Sequence, residues 1–407
     1  MTANVLNQEY QIQTAPTTST YTINARTAST GVNQYYSNGL VDDSAALVVA
    51  TSGDTSNGGS SVVGAYQVQT GTDTSTFGNG WGAGTWSRGA WNSKATVNVL
   101  SENLRLWQHD TFGEDLVFCI RDGSVFYWDT SSTTAQRGVY LSSLTGASNT
   151  PTIAKQVMVS DIDRHVIAFG CNPLGSNAQD PLLIRFSDQE DPADWTPRTT
   201  NTAGDLRIGS GTAIVQAVET RQEILVFTDQ ALHSMQFIGP PYTFGINRVS
   251  ENITIRSPNA AVAIGDSVYW MGVDQFYVYR GNVNQLNCTV KEKVLTDINN
   301  DQSTKIFVGV NSGFQEIWWF YPSLNSDNID KYVVYNYEMD IWYYGTLNRT
   351  AWIDRGIDDF PIAAGTDGKL YSHEFGIDDQ SGTAPAAVES FIPVSYTHQT
   401  LPTILLV

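Results

Sequence analysis

Residues Asp115–Asp129 read DLVFCIRDGSVFYWD: an apolar run, a tight polar turn containing Asp, then an aromatic-rich run. That is the signature of a β-hairpin. The same unit recurs as Glu223–Gly239 (EILVFTDQALHSMQFIG), Asp266–Gly281 (DSVYWMGVDQFYVYRG) and Pro361–Gly376 (PIAAGTDGKLYSHEFG). Two looser copies lie between them. In His165–Phe186, HVIAFG and LLIRF are separated by a longer loop; Glu316–Gly345 holds EIWWFY, KYVVYNY and DIWYYG. The units start at 115, 165, 223, 266, 316 and 361, so the spacing runs from 43 to 58 residues. Short strands at a period of about 40–50 residues predict the blades of a β-propeller. One hairpin cannot bury both its faces, so such units must stack.

Composition sets the frame. The chain has 407 residues, 41% of them hydrophobic and 15% charged, enough apolar matter for a real core. Asp plus Glu number 41 against 22 Lys plus Arg, a formal net charge of -19. A chain this acidic repels nucleic acid and anionic membranes, which excludes a basic DNA reader. Cys119, Cys171 and Cys288 are odd in number and widely spaced, so no disulfide framework is expected. The opening MTANVLNQEYQIQTAP lacks a basic region followed by an apolar stretch, so no signal peptide is expected. No apolar run is long enough to predict a membrane span, and synthesis and folding in a cytoplasm are expected.

The expected organisation has four parts. Residues 1–44 form an irregular arm with β-like patches at Tyr10–Gln13 and Thr20–Asn24. Residues 45–94 hold a hairpin (AALVVAT and VVGAYQVQT) and a Gly/Trp-rich loop. That hairpin is either a seventh blade or a strand pair completing the last one, so six to seven blades are expected. In the loop, FGNGWGAGTWSRGAWNSK, Trp81, Trp86 and Trp91 recur every five residues, neither a helix nor a strand period. The three rings either pin the loop to the blades or form an exposed docking surface. Residues 95–394 are the blades. Helical signal is confined to Ser257–Ile264, with its Ser cap and early Pro, and Lys291–Asn300. The fold class is therefore all-β.

Chemistry is sparse. There is no Gly-x-Ser-x-Gly elbow, phosphate loop or HExxH helix, and no catalytic residue, cofactor or metal site is assigned. His165, His233 and His373 fall in or beside strands. Asp297, Asn299 and Asp301 have the opening spacing of a calcium loop, but Gln302 stands where its Gly belongs and Val308 where its Glu belongs. Asp358–Asp359 and Asp378–Asp379 are acidic pairs near strand ends; glycosidases use paired carboxylates, but in a chain this acidic such loop pairs are expected to be solvated.

One segment is more specific. In LIRFSDQEDPADWTP, a strand exits through an acidic Asp-Pro turn onto an anchoring Trp. Arg185, Phe186, Ser187, Asp188, Asp191, Pro192, Asp194, Trp195 and Pro197 together resemble the β-propeller structural proteins of tailed bacteriophages. These include the tail-nozzle and packaged-DNA-stabilising proteins of short-tailed phages. NGWGAGTWSRGAWNSK, TDQALHSMQFIGPPYTFG and VYWMGVDQFYVYRG extend the resemblance over roughly residues 75 to 376. It implies a virion tail protein that assembles in the host cytoplasm. The expected form is a homo-oligomeric ring around a DNA exit channel, with portal, adaptor and tail-fibre proteins as partners. DNA would pass without sequence-specific binding. The alternative is a carbohydrate-binding or glycoside-hydrolysing propeller of a tail fibre. The final SYTHQTLPTILLV, residues 395–407, breaks the preceding pattern and closely resembles the translation of a synthetic sequencing adapter, so the native reading frame is expected to depart near Val394.

Overall fold

The computed structural model describes residues 104–131, 138–239 and 241–376, with the short strand pairs 12–17 with 20–23 and 378–379 with 386–387. Trp81, Trp86 and Trp91, the hairpin at 45–70 and residues 395–407 lie outside the described residues. Contacts divide the chain into two compact units, one ending at Asp205 and one beginning at Leu206.

The first unit opens with the antiparallel pair β1 (Ile12–Thr17) and β2 (Thr20–Ile23). A four-stranded sheet follows, β3 (Trp107–Phe112), β4 (Asp115–Ile120), β5 (Val125–Trp128) and β6 (Val139–Tyr140). The next is β7 (Gln156–Val159), β8 (Val166–Phe169), β9 (Leu183–Phe186) and β10 (Gly204–Arg207). In each sheet the strands pair in chain order, and the two first strands, β3 and β7, lie side by side. Every residue of β7, β8 and β9 is buried, because a sheet covered on both faces needs unbroken apolar runs rather than alternation. Val117, Cys119, Val125 and Tyr127 pack with Val157, Val166, Leu183 and Trp195 to form this unit's core. A polar pin crosses the same seam: Val159 N donates to Asp110 Oδ2 at 2.8 Å.

The second unit repeats the plan. Its sheets are β11 (Ile214–Glu219), β12 (Ile224–Thr228), β13 (Ala231–Gly239) and β14 (Thr243–Glu251), then β15 (Ala261–Ile264), β16 (Ser267–Met271), β17 (Phe276–Tyr279) and β18 (Val283–Gln285). After helix α1 (Lys291–Thr296) come β19 (Phe307–Asn311), β20 (Glu316–Tyr321), β21 (Lys331–Asn336) and β22 (Ile341–Thr346). A three-stranded sheet follows, β23 (Ala351–Ile353), β24 (Ile362–Ala364) and β25 (Leu370–Ser372), and then the pair β26 (Asp378–Asp379) and β27 (Ala386–Ala387). First strands again adjoin in order: β11 beside β15, β15 beside β19, β19 beside β23. Meandering antiparallel sheets whose first strands adjoin make an all-β propeller, with five four-stranded sheets and one three-stranded sheet among the described residues.

The core of this unit is aromatic. Phe276 lies 5.1 Å from Trp319 and 4.8 Å from Trp342, and Trp270 lies 5.0 Å from Phe227. Large rings fill the wedge between sheets with few side chains. Polar pins tie the seams here too. The Gln216 amide donates to Ala261 O and accepts from Ala261 N, both at 3.0 Å, so it acts as a short piece of strand between β11 and β15. Trp319 Nε1 donates to Ala260 O at 3.0 Å and Trp352 Nε1 to Val310 O at 2.8 Å. Gly309 is required beneath Trp352, because a Cβ there would fall 2.6 Å from the indole ring.

The recurring hairpins are the second and third strands of each sheet: β4–β5, β8–β9, β12–β13, β16–β17, β20–β21 and β24–β25. In the four-stranded sheets these are the middle strands. One expectation is corrected. Ser257–Ile264 is not helical beyond a single turn, and Ala261–Ile264 is the strand β15. Ser257 Oγ does not cap a helix; it donates to Ile306 O at 2.6 Å. Burial of the AVAI run between two sheets outweighs the local helix signal. The Lys291–Asn300 segment does form a helix over Lys291–Thr296. No helix among the described residues is long and apolar enough to cross a membrane.

Gln216→Ala removes both amide bonds and leaves the buried Ala261 N–H and C=O without partners. The expected loss is about 2–4 kcal/mol, or a fall of roughly 2–5 °C in the thermal midpoint of a chain this long. Calorimetry of the variant beside the parent chain measures it, and an unchanged midpoint would refute the strand-like role.

Candidate functional site

The residues that carry the bacteriophage resemblance form one corner at the end of β9. Arg185, on the last turn of buried strand, is 3% exposed. Among the described residues no carboxylate pairs with it within salt-bridge range. Its guanidinium donates instead to three main-chain carbonyls: Asn149 O, Asn172 O at 3.2 Å and Trp195 O at 3.4 Å. Its charge also lies 5.9 Å from the Trp195 ring centroid. Burial lowers its pKa, and the ring of carbonyl oxygens compensates a cation that is otherwise expensive to bury.

Past Phe186 the chain turns. Ser187 Oγ accepts from Val166 N at 3.0 Å, continuing the ladder where β8 and β9 part. Glu190 takes a left-handed φ of 58°, and Asp191 Oδ1 then accepts from Ala193 N at 2.8 Å across Pro192. Such an Asp-Pro turn needs no glycine because the Asp side chain substitutes for a missing backbone bond. Trp195 is 1% exposed, its Nε1 donating to Pro192 O at 2.8 Å, so the indole both fills the core and closes its own turn. Pro197 leads out of the corner.

Two carboxylates hold the corner shut. Asp188 Oδ1 accepts from Gln189 N at 2.9 Å, Thr202 N at 2.8 Å and Thr202 Oγ1 at 2.6 Å. Asp194 accepts from Ser148 Oγ at 2.7 Å, Thr196 N at 3.1 Å, Asn201 Nδ2 at 3.1 Å and Arg198 Nη1 at 2.6 Å. Burial pushes both carboxyls up, but the donors outweigh it and hold both below the usual range. Thr202 Oγ1 also meets His165 Nε2 at 3.0 Å. The nine motif residues are therefore brought together, as architecture: a strand exit stapled to the loops at 148–149, 172 and 196–202.

Elsewhere, reactive side-chain types are held in unreactive states. Burial raises Cys119 and Cys171 to about 12 and Cys288 to about 11, so none carries thiolate at neutral pH. His165 and His233 are buried and their pKa values lowered by desolvation. His233 Nε2 meets Ser210 Oγ at 2.8 Å, repeating the His–hydroxyl contact of His165 and Thr202 one sheet later. His373 accepts from Arg349 Nε at 2.9 Å and is lowered to about 4, by burial first and then by the Arg349 charge.

Asp297, in the calcium-like spacing, lies 2.7 Å from Lys331 Nζ, while Asn299 caps the turn at Asp301 N at 3.0 Å. Asp358 and Asp359 are exposed. No group of three or more His, Cys, Asp or Glu that could hold a metal occurs among the described residues. Missed by sequence reasoning were the staples from outside the motif, Asn149, Asn172, Ser148 and Thr202, whose polar types carry no distinguishing signal.

No protein-family model matches the chain, and no curated protein matches it. Three solved structures are similar at a distance. Two are of the extracellular domain of BT4673 from B. thetaiotaomicron, described in one case as a one-component and in the other as a hybrid two-component system. They have TM-scores of 0.39 and 0.42 and identities of 10% and 12%, covering 66% and 70% of this chain and 32% and 33% of theirs. The third is PorZ, a surface component of the type-IX secretion system of Porphyromonas gingivalis. Its TM-score is 0.31 and its identity 9%, covering 70% of this chain and 38% of PorZ. The chain thus spans about a third of the length of the structures it matches.

Arg185→Lys replaces a planar fork by one ammonium that cannot serve three carbonyls in different directions. A loss of about 2–4 kcal/mol is expected, visible as a lowered urea midpoint; a loss below about 0.5 kcal/mol would show the carbonyl ring to be incidental.

His373 predicts a pH effect. Its folded pKa lies below its unfolded value, so between about 6.5 and about 4 the unfolded chain binds the extra proton and stability falls as pH falls. The thermal midpoint should drop between pH 7 and pH 5. The drop should be smaller in His373→Gln, which keeps an acceptor for Arg349. Equal drops in both proteins would clear His373 of the effect.

Proposed function

We propose that this chain is a structural component of a tailed-phage virion, from the tail-nozzle or head–tail connector region. It assembles in the host cytoplasm as a homo-oligomeric ring that forms or extends the DNA exit channel. It docks portal, adaptor and tail-fibre proteins, and its work is assembly, not catalysis.

The observation that carries this proposal is the corner at 185–197. The phage-like residues are not scattered over the surface but make one continuous structural element, in which Arg185, Asp188, Asp191, Asp194 and Trp195 each have defined hydrogen-bond partners. A resemblance carried by a whole element reflects shared architecture more than a shared short pattern does. Two further features agree. The buried thiols Cys119 and Cys171 carry no thiolate at neutral pH. The net charge of -19 suits a conduit, because a wall rich in carboxylates leaves phosphates and their counterions undisturbed as DNA slides.

Electron microscopy of the purified chain, with mass determination on the same sample, tests the proposal. Rings of several copies with an open axial channel are expected, retaining no duplex DNA at physiological salt. A single compact chain at every concentration would overturn the ring and favour a carbohydrate-binding propeller.

A further inference from the structure

The hairpin of β13 and β14 outgrows its sheet. Pairing of β12 with β13 ends at Ile224 with Met235, yet β13 continues to Gly239, paired with β14 alone as far as Gly239 with Thr243. Residues 236–239 and 243–245 thus form a two-stranded ribbon beyond the end of β12. A bare ribbon of this kind is marginal in water unless its side chains order it. Here they do. Phe244 is 2% exposed and meets Phe237 edge-on at 5.6 Å, and Ile238 packs over Gly245. Thr243, β-branched, is held at a left-handed φ of 58°, a conformation that persists only where the surroundings impose it.

The ordered ribbon nevertheless offers apolar surface to solvent. Ile238 is 57% and Tyr242 75% exposed, with Phe237 at 40%. From Ser234 to Asn247 the chain holds no Asp, Glu, Lys, Arg or His. In a molecule of net charge -19, that absence matters. Two copies repel each other over most of their surface, and close approach is cheapest where neither presents carboxylates. The ribbon joins charge neutrality, exposed rings and a preformed backbone, and β14 is the outermost strand of its sheet, a position whose backbone edge can template another strand.

We propose that the ribbon tip, Ile238 with Tyr242 at its centre, is the surface by which one copy of this chain docks onto a second copy. This deepens the ring proposed above and rests on it. Ordering of the tip before contact lowers the cost of association.

The test places the photocrosslinking residue p-benzoylphenylalanine at position 242 of the full chain, with mass determination before irradiation. The expected result is a covalent pair of copies joined through position 242. Ile238→Asp with Tyr242→Asp should raise at least tenfold the concentration at which assembly is half complete. An unchanged far-ultraviolet circular dichroism spectrum and melting midpoint would show that the exposed changes leave the fold intact. Multimers that form without a crosslink at 242, and in the double variant as readily as in the parent, would overturn the ribbon while leaving the ring. A single chain at every concentration would overturn both. Crosslinking to a different added protein but never to a second copy would overturn the inference in favour of a heterologous partner.

Discussion

Everything in this chain depends on sheets that are apolar on both faces. A sheet with one wet face can choose its partner loosely, but a sheet buried on both must be stacked in register with two neighbours. Apolar contact is non-directional and sets no register by itself. Direction comes from the polar pins at the seams. Asp110 to Val159 N joins β3 to β7, the Gln216 amide joins β11 to β15, Trp319 to Ala260 O joins β20 to the entry of β15, and Trp352 to Val310 O joins β19 to β23. Each reaches main-chain atoms in a neighbouring sheet, so a slip of one residue would strand buried donors or acceptors.

The corner at 185–197 is the same device applied to a strand exit. A cation with no carboxylate partner would be a liability in an apolar seam. Surrounded by three carbonyls it becomes a hub that fixes loops from three places in the sequence. Trp195 supplies the volume and Arg185 the direction. That division of labour explains why the segment has so specific a composition: large ring, planar fork, and two carboxylates with several donors each.

The repeat was legible in the sequence because the middle strands of each sheet, such as Ile224–Thr228 and Phe276–Tyr279, are wholly buried and therefore wholly apolar. First and last strands were not. β3 reads WQHDTF and β10 reads GDLR, mixed sequences whose residues are half exposed and which take their conformation from the strand alongside. β15 even carried a competing helix signal at Ser257-Pro258. The corner was legible as a motif, since Asp-Pro and Trp mark a turn and an anchor. Its staples were not, because an Asn carbonyl at 149 or 172 looks like any other until the chain has folded. The Tyr242 ribbon was not legible: the sequence shows the hairpin Glu223–Gly239, and nothing local says where β12 stops.

The acidic excess also reads differently once the carboxylates have partners. Asp115 accepts from Tyr127, Asp188 and Asp194 from the corner, and Asp229 from Thr212 and Ala213; all four are held below the usual carboxylate range. Each carries its charge because the fold needs an acceptor at a turn, where a hydroxyl or an amide would satisfy fewer donors. Part of the net charge of -19 is thus a consequence of building many tight turns with Asp. Turn carboxylates therefore cannot be removed without loosening the sheets.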